Sequence, residues 1–462
     1  MESALTIPVA RVLMATGGKL QRGNAAGFSC AVIDGRAAVA GALFFAVRGD
    51  RFDGHDFVAQ AIAQGATGLV IARGRTADIC TSAKISDRVT IIEVDDTILA
   101  LGKLARAHRE AMTQLRVVGV TGSNGKTTCK EMIASILSTA VGNSAVLKTE
   151  GNLNNHLGVP LTLLRLTAAH RYAVIEMGMS ALGEIAYLTK LANPDVALIV
   201  NIAGAHLESL GTLENVAKAK AEIFQGLGPS GVAVVPFDEP LLDPYRPPSA
   251  RTFAVAGATV MFHDIRTTAT GTRFELEIGR ETVPVDLPLI GRHNVKNAAA
   301  AAAATMGFVS PAEIARGLGL VRPAKHRLEV IDVGGRVILD DCYNASPLSM
   351  RAALDALKEF GGPRKRVAVL GDMLELGPDS AALHSEVGAY AGEIVDALVT
   401  VGERAHAIYD AAARTLRFHA ANFDEAAHKV TDWTGPGDVV LVKASRGMQL
   451  ERVIDALRKG IG

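Results

Sequence analysis

Charge of either sign is missing as a net quantity: Lys+Arg and Asp+Glu cancel at 48 each. No bulk basic field is therefore left to hold nucleic acid or an anionic membrane, and only local patches remain for such roles. Cysteine is equally sparse. Cys30, Cys80, Cys129 and Cys342 are scattered with no CxxC pair, which argues against a disulfide framework or a structural zinc site and fits a reducing compartment. No run approaches the ~18 apolar residues of a transmembrane helix. The apolar patch around Val9–Met14 has no basic stretch and cleavage site about it, so no signal peptide is expected. The sequence is expected to be cytoplasmic. Aromatics reach only 5%, whereas glycine supplies 46 of the 462 residues, which favours many tight turns and close backbone approaches.

What is present belongs to a globular protein: 49% apolar residues, 21% charged and a mean hydropathy of +0.23. The length predicts two to four domains. Short strand-like runs at 42–47, 68–71 and 89–94 and helical patterns at 58–64 and 98–112 make the first 112 residues a small α/β domain. From Leu115 apolar strands at 116–120, 172–176, 196–200 and 231–235 alternate with helices. That pattern predicts a parallel sheet covered on both faces over residues 113–321. Within this region 251–289 alternates polar and apolar like antiparallel strands, and a helix over 294–306 closes the unit. The seven alanines at 298–304 read as a packed helix. After Arg322-Pro323, strands at 337–340, 366–370, 397–401 and 439–442 alternate with helices at 349–360, 384–391 and 450–459. Residues 322–462 are read as a second doubly wound, Rossmann-like unit. The fold class is α/β, in three domains.

The strongest chemical signal is Val-Val-Gly-Val-Thr-Gly-Ser-Asn-Gly-Lys-Thr-Thr at 117–128. A buried strand runs into a glycine-rich turn, and Lys126-Thr127 opens a helix. Backbone N–H groups of Gly122, Ser123, Asn124 and Gly125 are expected to curl around phosphate oxygens, aided by the helix N-terminus. Lys126, on what reads as a solvent-facing loop, would reach the β- and γ-phosphates, and Thr127, followed by Thr128, would hold Mg²⁺. The strict GxxxxGK[ST] spacing is not met, because Val120 stands where the first glycine belongs. A second strand, 172–176, ends on Glu176, a carboxylate suited to a hard cation. His206 follows the next strand, and Lys218 and Lys220 lie on the helical run 213–224. Taken singly, a lone histidine is usually structural and helix lysines are usually solvated.

Together these residues resemble the ATP-dependent Mur ligases of peptidoglycan synthesis, over nearly the whole chain. Thr121–Thr128 match that family's P-loop, and Thr149–Asn155, with Asn152, Asn154 and Asn155, match its substrate loop. Glu176 and His206 match Mg²⁺ ligands, and Lys220 falls on a lysine that carries a carbamate there. Gly291–Asn297 match the segment whose Asn294 reaches adenine. Lys325–Glu329 and Asp340–Pro347 match the segments bringing Arg327 and Asp341 to the nucleotide. His326 replaces a common glycine before Arg327, and Gly35 stands where a serine is usual.

The resemblance implies a UDP-binding domain at 1–112, an ATP-binding domain at 113–321 and a third domain at 322–462 that completes the ATP and acceptor sites. Within the family, Glu176-Met-Gly-Met, Asp341-Cys-Tyr-Asn-Ala-Ser-Pro and the runs Ile33–Arg36 and Val47–Phe57 are closest to the members that add D-Ala-D-Ala. The implied reaction joins D-Ala-D-Ala to UDP-N-acetylmuramoyl-tripeptide through an acyl phosphate, with release of ADP and phosphate. ATP, two Mg²⁺ ions and a carbamate on Lys220 are the implied cofactors. Metal ligands would be Thr127, Glu176, His206 and Lys220, and the catalytic set Lys126, Glu176, His206 and Lys220. Substrate contacts are expected from Asp34, Arg36, Arg48, Tyr343, Asn344, Ser445 and Arg446 besides the three asparagines. A monomer is expected.

Two rivals share the fold: folylpolyglutamate synthetase and the Mur ligase that adds the third amino acid. The latter carries an Asp-Asn-Pro-Arg motif that this chain lacks. A P-loop switch is the rival of another class, but its guanine-reading Asn-Lys-x-Asp motif is absent as well.

Overall fold

The computed structural model describes residues 7–460, apart from positions 50, 84, 205, 206 and 269. The first sheet has five strands: β1 (Lys19–Arg22), β2 (Ala31–Val32), β3 (Ala42–Phe45), β4 (Ala66–Ala72) and β5 (Thr90–Val94), in the order β1-β5-β4-β3-β2. Only β1 runs antiparallel to its neighbour. Both faces are covered: Phe44, Leu69 and Ile91 pack on one side, Leu43, Phe45 and Ile92 on the other. A parallel sheet buried on both faces reads as unbroken apolar runs, which is how these strands read.

Helix α1 (Thr97–Glu110) is started by Asp96, whose carboxylate accepts the N–H groups of Ile98 and Leu99. Its buried face, with Leu101 and Leu104, belongs to the same apolar cluster as Val117, Ile175 and Leu188 of the middle region. The Arg109 guanidinium also donates to the carbonyls of Ala192 and Asn193 at 3.1 Å each. The first sheet is separate, but its helix is welded to the next one.

The second sheet holds nine strands: β6 (Arg116–Thr121), β7 (Val146–Lys148), β8 (Tyr172–Glu176), β9 (Val196–Ile199), β10 (Val232–Pro236), β11 (Arg251–Ala254), β12 (Val260–Thr267), β13 (Thr272–Ile278) and β14 (Glu281–Leu287). Their order is β14-β13-β12-β11-β10-β9-β6-β8-β7. The antiparallel expectation for 251–289 holds for β12–β14 and fails for β11, which pairs in parallel with both β10 and β12. Thr252 and Thr259 fasten the short connection between β11 and β12: each hydroxyl accepts the other residue's backbone N–H, at 3.0 and 3.1 Å. Alternation of side chains reports burial and not strand direction.

Helix α2 (Lys126–Val141) follows β6, α3 (Glu184–Ala192) follows β8, and α4 (Leu213–Ala221) follows β9. Helix α5 (Arg292–Thr305) carries the alanine run, and Ala298–Ala304 are all fully buried. Side chains this small let a helix be enclosed on all sides.

The third sheet comprises β15 (Glu329–Val333), β16 (Arg336–Asp340), β17 (Arg366–Gly371), β18 (Ala397–Val401), β19 (Leu416–Ala420) and β20 (Val439–Lys443), in the order β15-β16-β20-β17-β18-β19. Only β15 is antiparallel. Helix α6 (Pro347–Gly361) opens with a capping box between Ser346 and Ser349, and separate apolar clusters cover the two faces.

Candidate functional site

Strand β6 lies between β9 and β8, third from one edge of the nine-stranded sheet, and its carboxyl end opens there flanked by both neighbours. The chain there turns through residues 122–125 into α2. Gly125 has φ +77°, and a Cβ on it would stand 2.6 Å from Asn297 Oδ1; both facts demand glycine. Asn201, at the end of β9, braces the turn from below. Its Oδ1 accepts the Asn124 N–H at 2.9 Å, and its Nδ2 donates to the Asn124 carbonyl at 3.1 Å. Ser123 Oγ donates to the Ala203 carbonyl at 2.9 Å. Lys126 is half-buried rather than solvent-facing, and its Nζ donates back to the carbonyls of Gly122 (2.7 Å) and Ser123 (3.2 Å). Burial lowers its pKa, opposed by the nearby Glu176.

Parallel pairing sets Glu176 opposite Val120, at the edge where the turn begins. The carboxylate is 2% exposed. Its Oε1 accepts from Asn154 Nδ2 at 2.9 Å, while its Oε2 is buried and has no hydrogen-bond partner among the described residues. A buried carboxylate oxygen with free lone pairs is what a hard cation takes, so the residues here fit a divalent metal. Lys220 on α4 is 2% exposed. Its amine is held well below the ordinary lysine pKa, first by burial and then by repulsion from Lys126. Lys218, two residues earlier, is exposed. His206 lies outside the described residues.

The third domain closes the site from above. Arg327 Nη2 donates to Thr127 Oγ1 at 3.0 Å, and its guanidinium lies 4.0 Å over the Tyr343 ring. Asp341 Oδ2 accepts from the buried Lys443 ammonium at 2.6 Å. Ser346 Oγ donates to Asn124 Oδ1 at 3.4 Å. Asn294 is 4% exposed; its Nδ2 donates to the Ile290 carbonyl at 2.8 Å and its Oδ1 accepts from Asn297.

Two clefts result. One, of about 280 Å³, is lined by Ser123–Thr128, Asn294, Arg327, Asp341, Tyr343 and Asn344, with Glu176 and Lys443. The other, of about 610 Å³, is lined by Asn155, Gly178–Ser180, Tyr187 and Lys220. Lys126 and Asn154 belong to both. Lys126 therefore stands at a doorway between the smaller cleft and the larger one.

Other expected residues are not gathered here. Asp34 and Arg36 bind each other in the first domain, and Arg48 bridges to Asp53. Asn152 is exposed. Ser445 is buried and accepts the Leu374 N–H at 2.9 Å, while Arg446 pairs with Glu451. Gly122 contributes its carbonyl to Lys126, not a cleft wall. Sequence reasoning does not reach Asn201 or Lys443, and within the Gly291–Asn297 segment it does not single out Asn297. It also passed over Lys130, one turn into α2. Lys130 is 1% exposed, and its Nζ donates to the Thr149 carbonyl at 2.7 Å and lies 3.9 Å from Glu176 Oε2. A lysine placed one helical turn after the P-loop lysine was its only signal.

Family models match three stretches of the chain: "Mur ligase family, catalytic domain" over residues 28–109, "Mur ligase middle domain" over 120–305 and "Mur ligase, glutamate ligase domain" over 326–446. Among known proteins, the chain is 41% identical to the UDP-N-acetylmuramoyl-tripeptide–D-alanyl-D-alanine ligase of Escherichia coli K12, covering 92% of this chain and 93% of that one. It is 39% identical to the ligase of the same name from Bacillus subtilis 168, over 90% of each. Among solved structures it resembles MurF from Acinetobacter baumannii with a TM-score of 0.89, 35% identity and 98% and 99% coverage. It resembles MurF ligase from Thermotoga maritima in complex with ADP with a TM-score of 0.82, 32% identity and 94% and 97% coverage.

Proposed function

The chain belongs to the Mur ligase family, and from that premise we propose that it joins D-Ala-D-Ala to UDP-N-acetylmuramoyl-tripeptide with conversion of ATP to ADP and phosphate. One observation carries the reading: Lys126 is shared by two adjoining clefts. A phosphoryl group bound in one can pass to a carboxylate bound in the other.

A carboxylate is a poor acyl donor, because oxide would have to leave. Transfer of the γ-phosphoryl breaks the terminal P–O–P bond, forms a carboxyl phosphate and releases ADP. The amine of D-Ala-D-Ala then attacks the acyl carbon, phosphate leaves, and the amine proton is lost to water. In this reading Lys126 exchanges its contacts with the Gly122 and Ser123 carbonyls for phosphate oxygens and meets the charge that develops in transfer. Gly122–Thr128 cradle the phosphates, Asn294 meets the adenine, and Arg327 and Asp341 enclose the nucleotide. Thr127, Glu176, His206 and a carbamate on Lys220 would hold Mg²⁺, which when bound supplies neutralisation of the crowded phosphate charge. The carbamate forms when the neutral Lys220 amine bonds to the carbon of CO₂ and loses one proton. The Glu176 Oε2, which accepts no hydrogen bond from the described residues and has only the Lys130 ammonium 3.9 Å away, and the lowered Lys220 pKa support this set.

Residues 1–112 are assigned to the UDP-sugar end, with Asp34, Arg36 and Arg48. Residues 113–321 are assigned to ATP and 322–462 to completing the ATP and acceptor sites, with Tyr343, Asn344, Ser445 and Arg446. Asn152, Asn154 and Asn155 face the donor. The enzyme acts as a monomer in the cytoplasm, and no helix among the described residues is long and apolar enough to cross a membrane.

Mass spectrometry of a reaction containing UDP-linked tripeptide, ATP and D-Ala-D-Ala tests the proposal. The expected product is the pentapeptide precursor, with one ADP per bond and no ATP turnover when either substrate is omitted. ATP consumption indifferent to both substrates would overturn it.

A further inference from the structure

Arg327 is flanked by two residues that are not glycine and yet have positive φ, His326 at 61° and Leu328 at 51°. Side chains other than glycine avoid this conformation unless the surroundings enforce it. His326 is held at three points. Its Nδ1 is 2.7 Å from Asp340 Oδ2, on a side chain only 3% exposed. Its N–H donates to Glu329 Oε2 at 3.3 Å, and its carbonyl accepts the Tyr343 N–H at 3.1 Å. Leu328 is fastened in turn, its N–H donating to Asp341 Oδ1 at 3.2 Å. All four anchors lie on β15, on β16 or in the turn that follows, and that turn also carries the Tyr343 ring beneath Arg327.

We infer that His326 is a positioning residue for the ligation reaction. Its clasp with Asp340 makes Arg327 part of the third domain's rigid body, so that domain closure delivers the guanidinium to the P-loop in one geometry. Flexing between the domains is thereby confined to the residues before 326. Without the clasp, the same backbone must be ordered anew each time nucleotide binds, and that ordering weakens binding. The inference rests on the reading above that Arg327 acts on the nucleotide.

The test measures ADP binding by calorimetry, together with ligation kinetics, in the full-length protein and in His326→Gly and His326→Asn. Glycine accepts a φ of 61° freely and removes only the clasp. Asparagine tolerates the same φ and keeps a donor for Asp340. For His326→Gly we expect ADP affinity and kcat/KM for ATP to fall about tenfold or more, the scale of one charged hydrogen bond. The Kd for UDP-linked tripeptide should be unchanged, and His326→Asn should recover most of the loss. If His326→Gly binds ADP as tightly as the parent, the inference is wrong. It is equally wrong if both variants lower nucleotide and UDP-tripeptide binding together, because that is the mark of a merely structural role. A parent chain that binds ADP but forms no peptide product would fail the functional proposal instead, and the ADP affinities would still decide this one.

Discussion

Arg327 and Thr127 are 200 positions apart in the chain, yet the arginine of the third domain donates to the threonine hydroxyl on the first turn of α2 at 3.0 Å. Thr127 is the hydroxyl expected to serve the metal. The two domains thus meet through atoms to which the proposed chemistry is assigned, joined also by Ser346 to Asn124 and by Arg292 to Glu359. Ile290 of the middle domain also packs into the third domain's apolar cluster, and polar bridges beside so small an apolar contact suit an interface that opens and closes.

Replacing Arg327 with Ala should therefore shift the free protein toward open arrangements. Small-angle scattering should give a radius of gyration above the about 23 Å expected of a compact chain of this length. The parent with ATP and UDP-linked tripeptide should be the most compact sample. Identical scattering from all of these would count against closure through Arg327.

Lys126→Ala removes the cation shared by both clefts. Ligation should fall by about 10²–10³ in kcat, the scale of losing one donor aimed at developing charge. The fold should persist, because among the described residues the ammonium donates hydrogen bonds only to carbonyls of its own loop. Circular dichroism and turnover together check this. A folded variant with near-parental kcat would refute the P-loop assignment.

The acceptor is the third test. With the Asp-Asn-Pro-Arg motif missing, D-Ala-D-Ala should be ligated in strong preference to free lysine or diaminopimelate. Competition between these amines, read by mass, checks the choice. Efficient addition of a free diamino acid to a UDP-linked dipeptide would keep the ligase class and discard the assignment within it.

Much of this site was legible in the sequence because its signals are local. The P-loop needs a strand, glycines at fixed offsets and a Lys-Thr pair, all within twelve residues, and parallel pairing then forces Glu176 to the same edge. What escaped was non-local. Nothing in residues 251–254 reveals that β11 joins in parallel, since its partners β10 and β12 lie outside that stretch. Lys443 and Asp341 lie 102 positions apart, and their ion pair follows only from the adjacency of β16 and β20. Asp34, Arg36, Arg48, Ser445 and Arg446 came from motif matching alone, and each engages a neighbour instead of lining either cleft.

Lys218 and Lys220 look alike in the sequence and differ in the fold, one exposed and the other 2% exposed beside Lys126. Burial, and then the neighbouring ammonium, hold the Lys220 pKa well below that of a lysine in the unfolded chain. The unfolded state therefore binds more protons between the lowered value and the ordinary one. In CO₂-free buffer this contribution to stability should be fully present above the ordinary lysine pKa and lost as pH falls toward the lowered one. Lys220→Met should flatten that slope in denaturant titrations. The same neutral amine is the form that takes up CO₂. Lys220→Ala should accordingly lose activity and regain part of it with formate or acetate, whose oxygens can stand where the carbamate's would. ¹³C-bicarbonate should give the parent a carbamate resonance that Lys220→Ala lacks, and Lys218→Ala should stay within about twofold of parental activity, as expected of an exposed site. A fully active Lys220→Ala, or a parent without the resonance, would leave Lys220 a buried amine and nothing more.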